Sequence, residues 1–172
     1  MASLMEHLLD VLGKESGRYE ELLELSRKKT PVIIKGDLAR LQAITEEEQE
    51  VVGSIQRMER ERVEVTADIA NVLNKAAETL KIPDLIRMLT GRSHEQQQLA
   101  AVHDRLRTAV HDLRKVNEQN RELLAHALTL VEFDVNLIQA MKRGPQTANY
   151  NKGAYSAGGS LGTEKTGFDA RQ

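Results

Sequence analysis

A seam of apolar residues recurs every three and four positions between Leu41 and Ala76, and no other feature constrains the fold as strongly. Only Glu48, Arg62 and Thr79 interrupt this register. A register held over about five heptads predicts a coiled-coil helix, because 3.5 residues per turn keeps one stripe facing a partner helix. We therefore predict a helix over about residues 37–80. The seam consists of Leu41, Ile44, Val51, Ile55, Met58, Val65, Ile69, Val72 and Ala76.

A second seam of the same kind begins at Leu99. Ser93 and Gln96 have the spacing of a capping box, and Gly144-Pro145 cannot continue a helix, so we predict a helix over about residues 94–143. The seam consists of Leu99, Val102, Leu106, Ala109, Leu113, Val116, Asn120, Leu123, Ala127, Leu130, Asp134, Leu137 and Met141, of which Asn120 and Asp134 are polar.

A short helix over about residues 84–90 is predicted between the two seams, because Ile82-Pro83-Asp84 precedes it and Gly91 follows. The two long helices therefore fold back antiparallel. The apolar stripe of Met5, Leu8, Leu12, Tyr19 and Leu22 predicts a first helix over residues 3–29.

Thr30-Pro31 is expected to end or kink this first helix, since the residue before a proline disfavours helical geometry. Residues 30–36 can form either a helical turn or an extended connector. The whole pattern predicts an all-α fold: an elongated antiparallel three-helix bundle or coiled coil over residues 1–143.

Helix lengths predict how the three helices overlap. A first helix of about 27 residues covers only about 40 Å, so we expect it to lie beside residues 41–60 and 120–141. Residues 62–80 and 99–116 then form a bare two-helix hairpin. The apolar face of the last helix widens after Leu123, as a helix with two neighbours requires. The widening comes from Leu124, Leu128, Val131, Val135 and Ile138.

Residues 144–172 differ in kind from the rest, because they hold six of the eleven glycines and no periodic apolar face. This composition predicts a disordered tail. The alternative is that Tyr150, Tyr155 and Phe168 are recognition anchors, because aromatic side chains offer a large contact area at small entropic cost.

Composition excludes several classes of protein. The chain has no cysteine, which removes disulfides and thiolate sites and agrees with a cytoplasmic location. Neither a signal peptide nor an uninterrupted run of about 18 apolar residues is present, so stable membrane insertion is not expected. The net charge is -2 with both signs interspersed, which makes nucleic acid an unfavourable partner.

Titratable residues do not form a catalytic or metal-binding pattern. His103 and His111 lie about 12 Å apart along a helix, too far to share an ion. Glu122 and His126 lie on one helix face, but the chain has no second Glu-x-x-His, which a helix-bundle diiron site needs. We therefore expect no enzyme activity, no bound metal and no cofactor.

The polar residues that interrupt the apolar seams indicate more about packing and binding than the other titratable residues do. If the hairpin folds near residue 90, Arg62 comes level with residues 117–120, and Glu48 comes level with Asp134 and Tyr19. One interpretation is a polar layer that fixes helix register. The other is a polar anchor in a groove that binds a partner helix.

The residues resemble those of FlgN-type flagellar export chaperones over about residues 4–160. The likeness rests on Gly36-Asp37, on Met58-Glu59-x-x-Arg62, on Asn117-x-x-Asn120-x-x-Leu123-Leu124, and on Tyr150 and Tyr155 among glycines. The resemblance implies a chaperone that holds hook-associated junction proteins, its clients, by their helical terminal segments. It also implies transfer to the flagellar export gate, with Tyr150 and Tyr155 as candidate gate contacts.

Two surfaces are candidates for client binding: the bare hairpin, and the face beside Leu124. Their residues are Arg62, Val65, Ile69, Val72, Leu99, Val102, Leu106, Leu113, Asn117, Asn120, Leu124, Leu128, Val131 and Val135. A structural coiled-coil adaptor or homodimeric scaffold that never releases a client is the alternative function.

Overall fold

A computed structural model of the chain describes residues 2–76, 80–89 and 91–143. These residues form four helices: α1 (Ala2–Lys35), α2 (Leu38–Val72), α3 (Ile82–Met88) and α4 (Ser93–Lys142). The long helices pack against one another without any strand in these ranges, so the all-α prediction is confirmed. The chain divides into two compact units, Met1–Glu132 and Phe133–Gln172.

Helix α1 does not end at Thr30-Pro31, as its sequence suggested, but continues through Pro31 to Lys35. Pro31 lies on the exposed side, whereas Val32 and Ile33 are buried and hold the last turn against the core. Gly36 ends the helix with a φ of 68°, and the hydrogen bonds Gly36 N to Ile33 O and Asp37 N to Val32 O form a Schellman motif.

The turn into α2 is equally well defined. Asp37 is its N-cap, and the Asp37 Oδ1 atom accepts a hydrogen bond of 3.0 Å from the backbone N–H of Arg40. Residues 30–36, which the sequence left open, are therefore the last helical turns of α1 followed by a tight turn.

Helix α2 ends at Val72, short of the predicted limit near residue 80. Asn74 takes a φ of 51°, and the bonds Lys75 N to Ala70 O and Asn74 N to Asn71 O form a second Schellman motif. Asparagine is the residue that most often replaces glycine in this left-handed position. The short helix α3 begins and ends two residues earlier than predicted, at Ile82 and Met88.

These shifted ends make α1 and α2 nearly equal, with 34 and 35 residues. They lie antiparallel: Tyr19 in the middle of α1 bonds to Glu59, whereas Lys29, farther along α1, bonds to Glu48, which is earlier in α2. Helix α4 runs parallel to α1, since contacts with α4 advance from Arg105 to Asn120 as those on α1 advance from Glu20 to Thr30.

The bare hairpin predicted for residues 62–80 and 99–116 is therefore wrong. The first turns of α1 cover this end of the first unit. One core cluster joins α1 to the end of α2, to α3 and to the start of α4, and its buried members are Met5, Leu8, Leu12, Val65, Ile69, Ala70, Leu80, Leu85, Leu89 and Leu99. The second cluster consists of Leu22, Leu23, Leu25, Val32, Ile44, Val51, Ile55 and Leu113.

In the second unit the structure describes residues 133–143, which are the end of α4 and the turn residue after it. Every one of these residues is exposed. The predicted disordered tail, residues 144–172, lies outside the described residues.

Candidate functional site

The end of α4 exposes its apolar side chains instead of burying them. In the first unit Leu128, Leu130 and Val131 are 64%, 65% and 58% exposed. In the second unit the exposed apolar residues are Phe133, Val135, Leu137, Ile138 and Met141. We call these eight residues the α4 apolar face.

Exposed apolar residues this dense usually mark a binding surface on a soluble protein. The widened face was correctly noticed in the sequence, but the neighbouring helix inferred from it was wrong. In the first unit the last described hydrogen bond between α1 and α4 joins Thr30 to Asn120. Helix α1 ends five residues later at Lys35, so it does not extend to the level of Leu128.

The first unit also contains a groove, and Leu128 is one of its lining residues. It has a volume of about 570 Å³. Apolar side chains of Leu22, Val52, Leu124 and Leu128 line it together with a group of polar residues. The polar group consists of Ser26, Lys29, Glu48, Asn117, Asn120 and Arg121.

Asn120 ties α1 to α4 beneath this groove. Its side chain is 4% exposed, its Nδ2 donates to Ser26 O at 2.7 Å, and its Oδ1 accepts from Thr30 Oγ1 at 2.7 Å. Both ends of the amide are used inside the protein. A buried amide satisfied in this way fixes the register of two helices.

Lys29 and Glu48 form the second part of the polar layer. The Lys29 Nζ and Glu48 Oε2 atoms are 2.7 Å apart, and both side chains are less than 20% exposed. Ser26 Oγ lies 3.0 Å from Glu48 Oε1 and 2.9 Å from Asn117 Oδ1. Glu48 is therefore level with Asn117, and not with Asp134 or Tyr19 as the sequence suggested.

Arg62 belongs to a different polar cluster, far from residues 117–120. Its Nε donates to Glu15 Oε2 at 2.9 Å, and Tyr19 Oη donates to Glu59 Oε1 at 3.0 Å. The Glu15 side chain is only 2% exposed, so burial raises its pKa, while the positive charge and hydrogen bond of Arg62 oppose that rise.

Tyr19 shares this environment. Burial, together with the hydrogen bond to the Glu59 carboxylate, raises the pKa of Tyr19 to about 12. These hydrogen bonds join α1 to α2 and position α1.

Two comparisons with known proteins concern the chain as a whole. A model of the FlgN protein family matches residues 1–159. The chain belongs to the FlgN family. It is also 27% identical over 133 residues to the uncharacterized protein YvyG of Bacillus subtilis (strain 168), a match that spans 77% of this chain and 76% of that protein. No solved structure matches it significantly.

FlgN proteins are flagellar export chaperones and not enzymes, and membership implies this general role for the present chain. Among the described residues of this FlgN chain, no three His, Cys, Asp or Glu side chains come together in a way that could hold a metal ion.

One helix of this FlgN chain, His94–Lys142 within α4, is long and apolar enough to cross a membrane by length and composition. This stretch is apolar on average, whereas the expectation from the sequence concerned an uninterrupted run of about 18 apolar residues, which charged residues prevent here. Glu132 and Asp134 lie within its apolar half, and an acidic residue at the centre of a spanning helix costs about 2.5–3.5 kcal/mol. FlgN proteins are soluble, and a protein-binding face explains the same residues.

The residues that the sequence proposed for binding fall into three groups in this FlgN structure. Those of the supposed bare hairpin are mostly covered by α1: Val65, Ile69, Leu99 and Leu113 are buried, Arg62, Val102 and Leu106 are partly buried, and only Val72 is exposed. Those beside Leu124 form the groove and the apolar face: Asn117, Asn120, Leu124, Leu128, Val131 and Val135. Tyr150 and Tyr155 lie outside the described residues.

Proposed function

We propose that this protein is a cytoplasmic chaperone that binds the helical terminal segments of hook-associated junction proteins on the α4 apolar face. The bound client is thereby kept from premature assembly and is delivered to the flagellar export gate. One observation carries the proposal: eight large apolar side chains are exposed along residues 128–141 of a protein in an export-chaperone family.

The energetics of this surface suit a helical client. An amphipathic helix laid on α4 removes its own apolar face and that of α4 from water at the same time. A single helix covers one side of α4, so about half of these side chains are buried against it, each contributing roughly 1 kcal/mol. Together with burial of the client's own apolar face, this offsets the cost of ordering a disordered segment, which is about 2–5 kcal/mol.

Delivery requires a second contact, with the export gate. Tyr150 and Tyr155 are our candidates, because they are aromatic residues among glycines that follow directly on α4. We expect replacing both with alanine to leave client affinity unchanged and to lower the amount of junction protein secreted by cells.

The test compares two valines of equal exposure. Val131 on the apolar face is 58% exposed, and Val63 on α2 is 60% exposed. A fluorescent peptide from the terminal segment of a junction protein is titrated with the wild type, Val131→Ser and Val63→Ser. We expect Val131→Ser to weaken binding roughly tenfold and Val63→Ser to leave it unchanged.

The same samples distinguish the chaperone from the scaffold. Light scattering is expected to show a monomer that forms a one-to-one complex with the peptide. A tight dimer that ignores the peptide and dissociates in Val131→Ser would replace the chaperone with a homodimeric scaffold.

A further inference from the structure

The groove beside the apolar face contains polar groups of two kinds: those already bonded within the protein, and those still open. Asn120 uses both ends of its amide, and Lys29 and Glu48 neutralise each other. These three residues hold the helices in register, and their polar groups are already bonded within the protein instead of being available to a partner.

Two polar groups in the groove remain open: one end of the Asn117 amide and the guanidinium of Arg121. Asn117 is exposed, and one end of its side-chain amide lies 2.9 Å from Ser26 Oγ, while the other end has no partner among the described residues. Arg121 is 82% exposed, and its nearest carboxylate, that of Glu118, is 3.9 Å away and on the same helix. A pair at that exposure and distance contributes little.

These two groups lie on one face of α4 in line with apolar residues. Asn117 and Arg121 are four positions apart, so their side chains are neighbours. Leu124 and Leu128 continue the same face over the next two turns, and Leu22 and Val52 form the facing wall of the groove. The groove therefore offers an amide and a guanidinium at one end and apolar side chains at the other.

We propose that this groove recognises the client, as an amphipathic helix that places a carboxylate beside Arg121, a hydrogen-bonding side chain against the Asn117 amide, and apolar residues against Leu124 and Leu128. The inference rests on the proposed function and states which client helices fit. Charge complementarity sets the choice, because the lining carries Lys29 and Arg121 against the single carboxylate of Glu48. A helix with a basic residue at the Arg121 end is rejected.

Two variants with matched controls test the inference on the full chain. Asn117→Asp places a negative charge beside Arg121 in the groove, where it repels a client carboxylate. Gln119→Glu adds the same charge elsewhere on α4. Arg121→Glu reverses the groove charge, and Lys115→Glu makes that reversal on another side of the helix.

Binding of the labelled junction-protein terminal peptide is measured for each variant. We expect both groove variants to weaken it about three- to tenfold in dilute buffer, and the difference to shrink in concentrated salt. The two controls are expected to stay within about twofold of the wild type.

A charge swap gives a readout that does not depend on the stability of the variants. The carboxylates of the peptide are replaced by lysine one at a time. We expect one of these peptides to bind Arg121→Glu more tightly than it binds the wild type.

The outcomes separate this inference from the proposed function. If the groove variants bind like their controls while Val131→Ser still weakens binding, or if no lysine peptide prefers Arg121→Glu, the groove inference is overturned alone. If the wild type does not bind the peptide, both are overturned. If Arg121→Glu turns a dimer into a monomer in light scattering, the occupant is a second copy of the chain and the inference is again overturned.

Discussion

Replacing Arg62 with methionine removes the only cation that contacts the buried carboxylate of Glu15 in the described part of the chain. Their atoms are 2.9 Å apart, with Glu15 2% and Arg62 30% exposed. Breaking a fully buried ion pair costs about 3–5 kcal/mol because the remaining charge has no partner. The partial exposure of Arg62 lowers our expectation to about 2–3 kcal/mol. This corresponds to a melting temperature lower by roughly 5–10 °C.

The pH dependence of this effect has a definite sign. The pKa of Glu15 in the folded protein is raised above its ordinary value of 4.5, so the native state binds this proton more tightly than the unfolded chain. The contribution of Glu15 to stability is therefore greatest below its ordinary pKa and is lost as pH rises through the folded pKa. Removing Arg62 raises the folded pKa further, so Arg62→Met is expected to lose less stability at pH 5 than at pH 8.

Urea unfolding followed by circular dichroism at several pH values measures this prediction. Arg57→Met, which changes an exposed arginine on the same helix, is the control and is expected to change the unfolding free energy by less than about 0.5 kcal/mol. Adding Glu15→Gln to Arg62→Met is expected to restore at least about 1 kcal/mol at pH 8. If Arg62→Met costs no more than Arg57→Met, or if Glu15→Gln restores nothing, the reasoning about this pair is refuted.

Two further predictions concern stability and are measured by the same urea unfolding. Gly36→Ala is expected to cost about 1 kcal/mol, because Gly36 has a φ of 68°. Gly53→Ala, inside α2 with nothing within 4 Å of the added methyl group, is expected to add about 0.5–1 kcal/mol, and the opposite order would contradict the assignment of the two positions. Asn120→Ala is expected to cost about 2–3 kcal/mol, since it leaves the Ser26 carbonyl and the Thr30 hydroxyl without their partner; a cost below about 0.5 kcal/mol would mean that water replaces the amide.

The helices themselves could be read from the sequence, because each long seam is a repeated physical signal. The helix ends were harder to predict, and their positions determine how the three helices overlap. Asn74 is a signal for the end of a helix. The prediction instead followed the apolar register, which continues beyond Asn74. The sequence predicts that α1 ends at Thr30-Pro31, because proline has no backbone N–H. The helix tolerates this loss, since Pro31 faces solvent and the next two residues, Val32 and Ile33, are buried.

The polar core of α1 was missed although a signal for it was present. The spacing of Met5, Leu8, Leu12, Tyr19 and Leu22 can be extended in the same register of three and four positions. It then includes Glu15, Ser26, Lys29 and Ile33. Three of these residues, Glu15, Ser26 and Lys29, are among the polar residues of α1 that the structure buries or half-buries, and the fourth lies beyond Pro31. Continuing the register through polar residues predicts both the longer helix and its polar contacts.

The partners of the polar side chains could not be predicted, because each pairing depends on how far the three helices are shifted along one another. An error of six residues at the end of α1, or of eight at the end of α2, moves a partner by about two helical turns. This is why Arg62 was expected beside residues 117–120 and instead contacts Glu15. The binding face was identified more reliably, since the widened apolar face of α4 depends on that helix alone.

Hydrogen–deuterium exchange of the full chain, with and without the junction-protein terminal peptide, tests the central claim most directly. Docking a helix on the α4 apolar face stabilises the backbone hydrogen bonds beneath it and slows their exchange. We expect slower exchange in residues 124–132 and in residues 133–142, with little change in residues 2–76. Protection that appears in α1 and α2 while residues 124–142 exchange as before would place the client elsewhere and contradict the account.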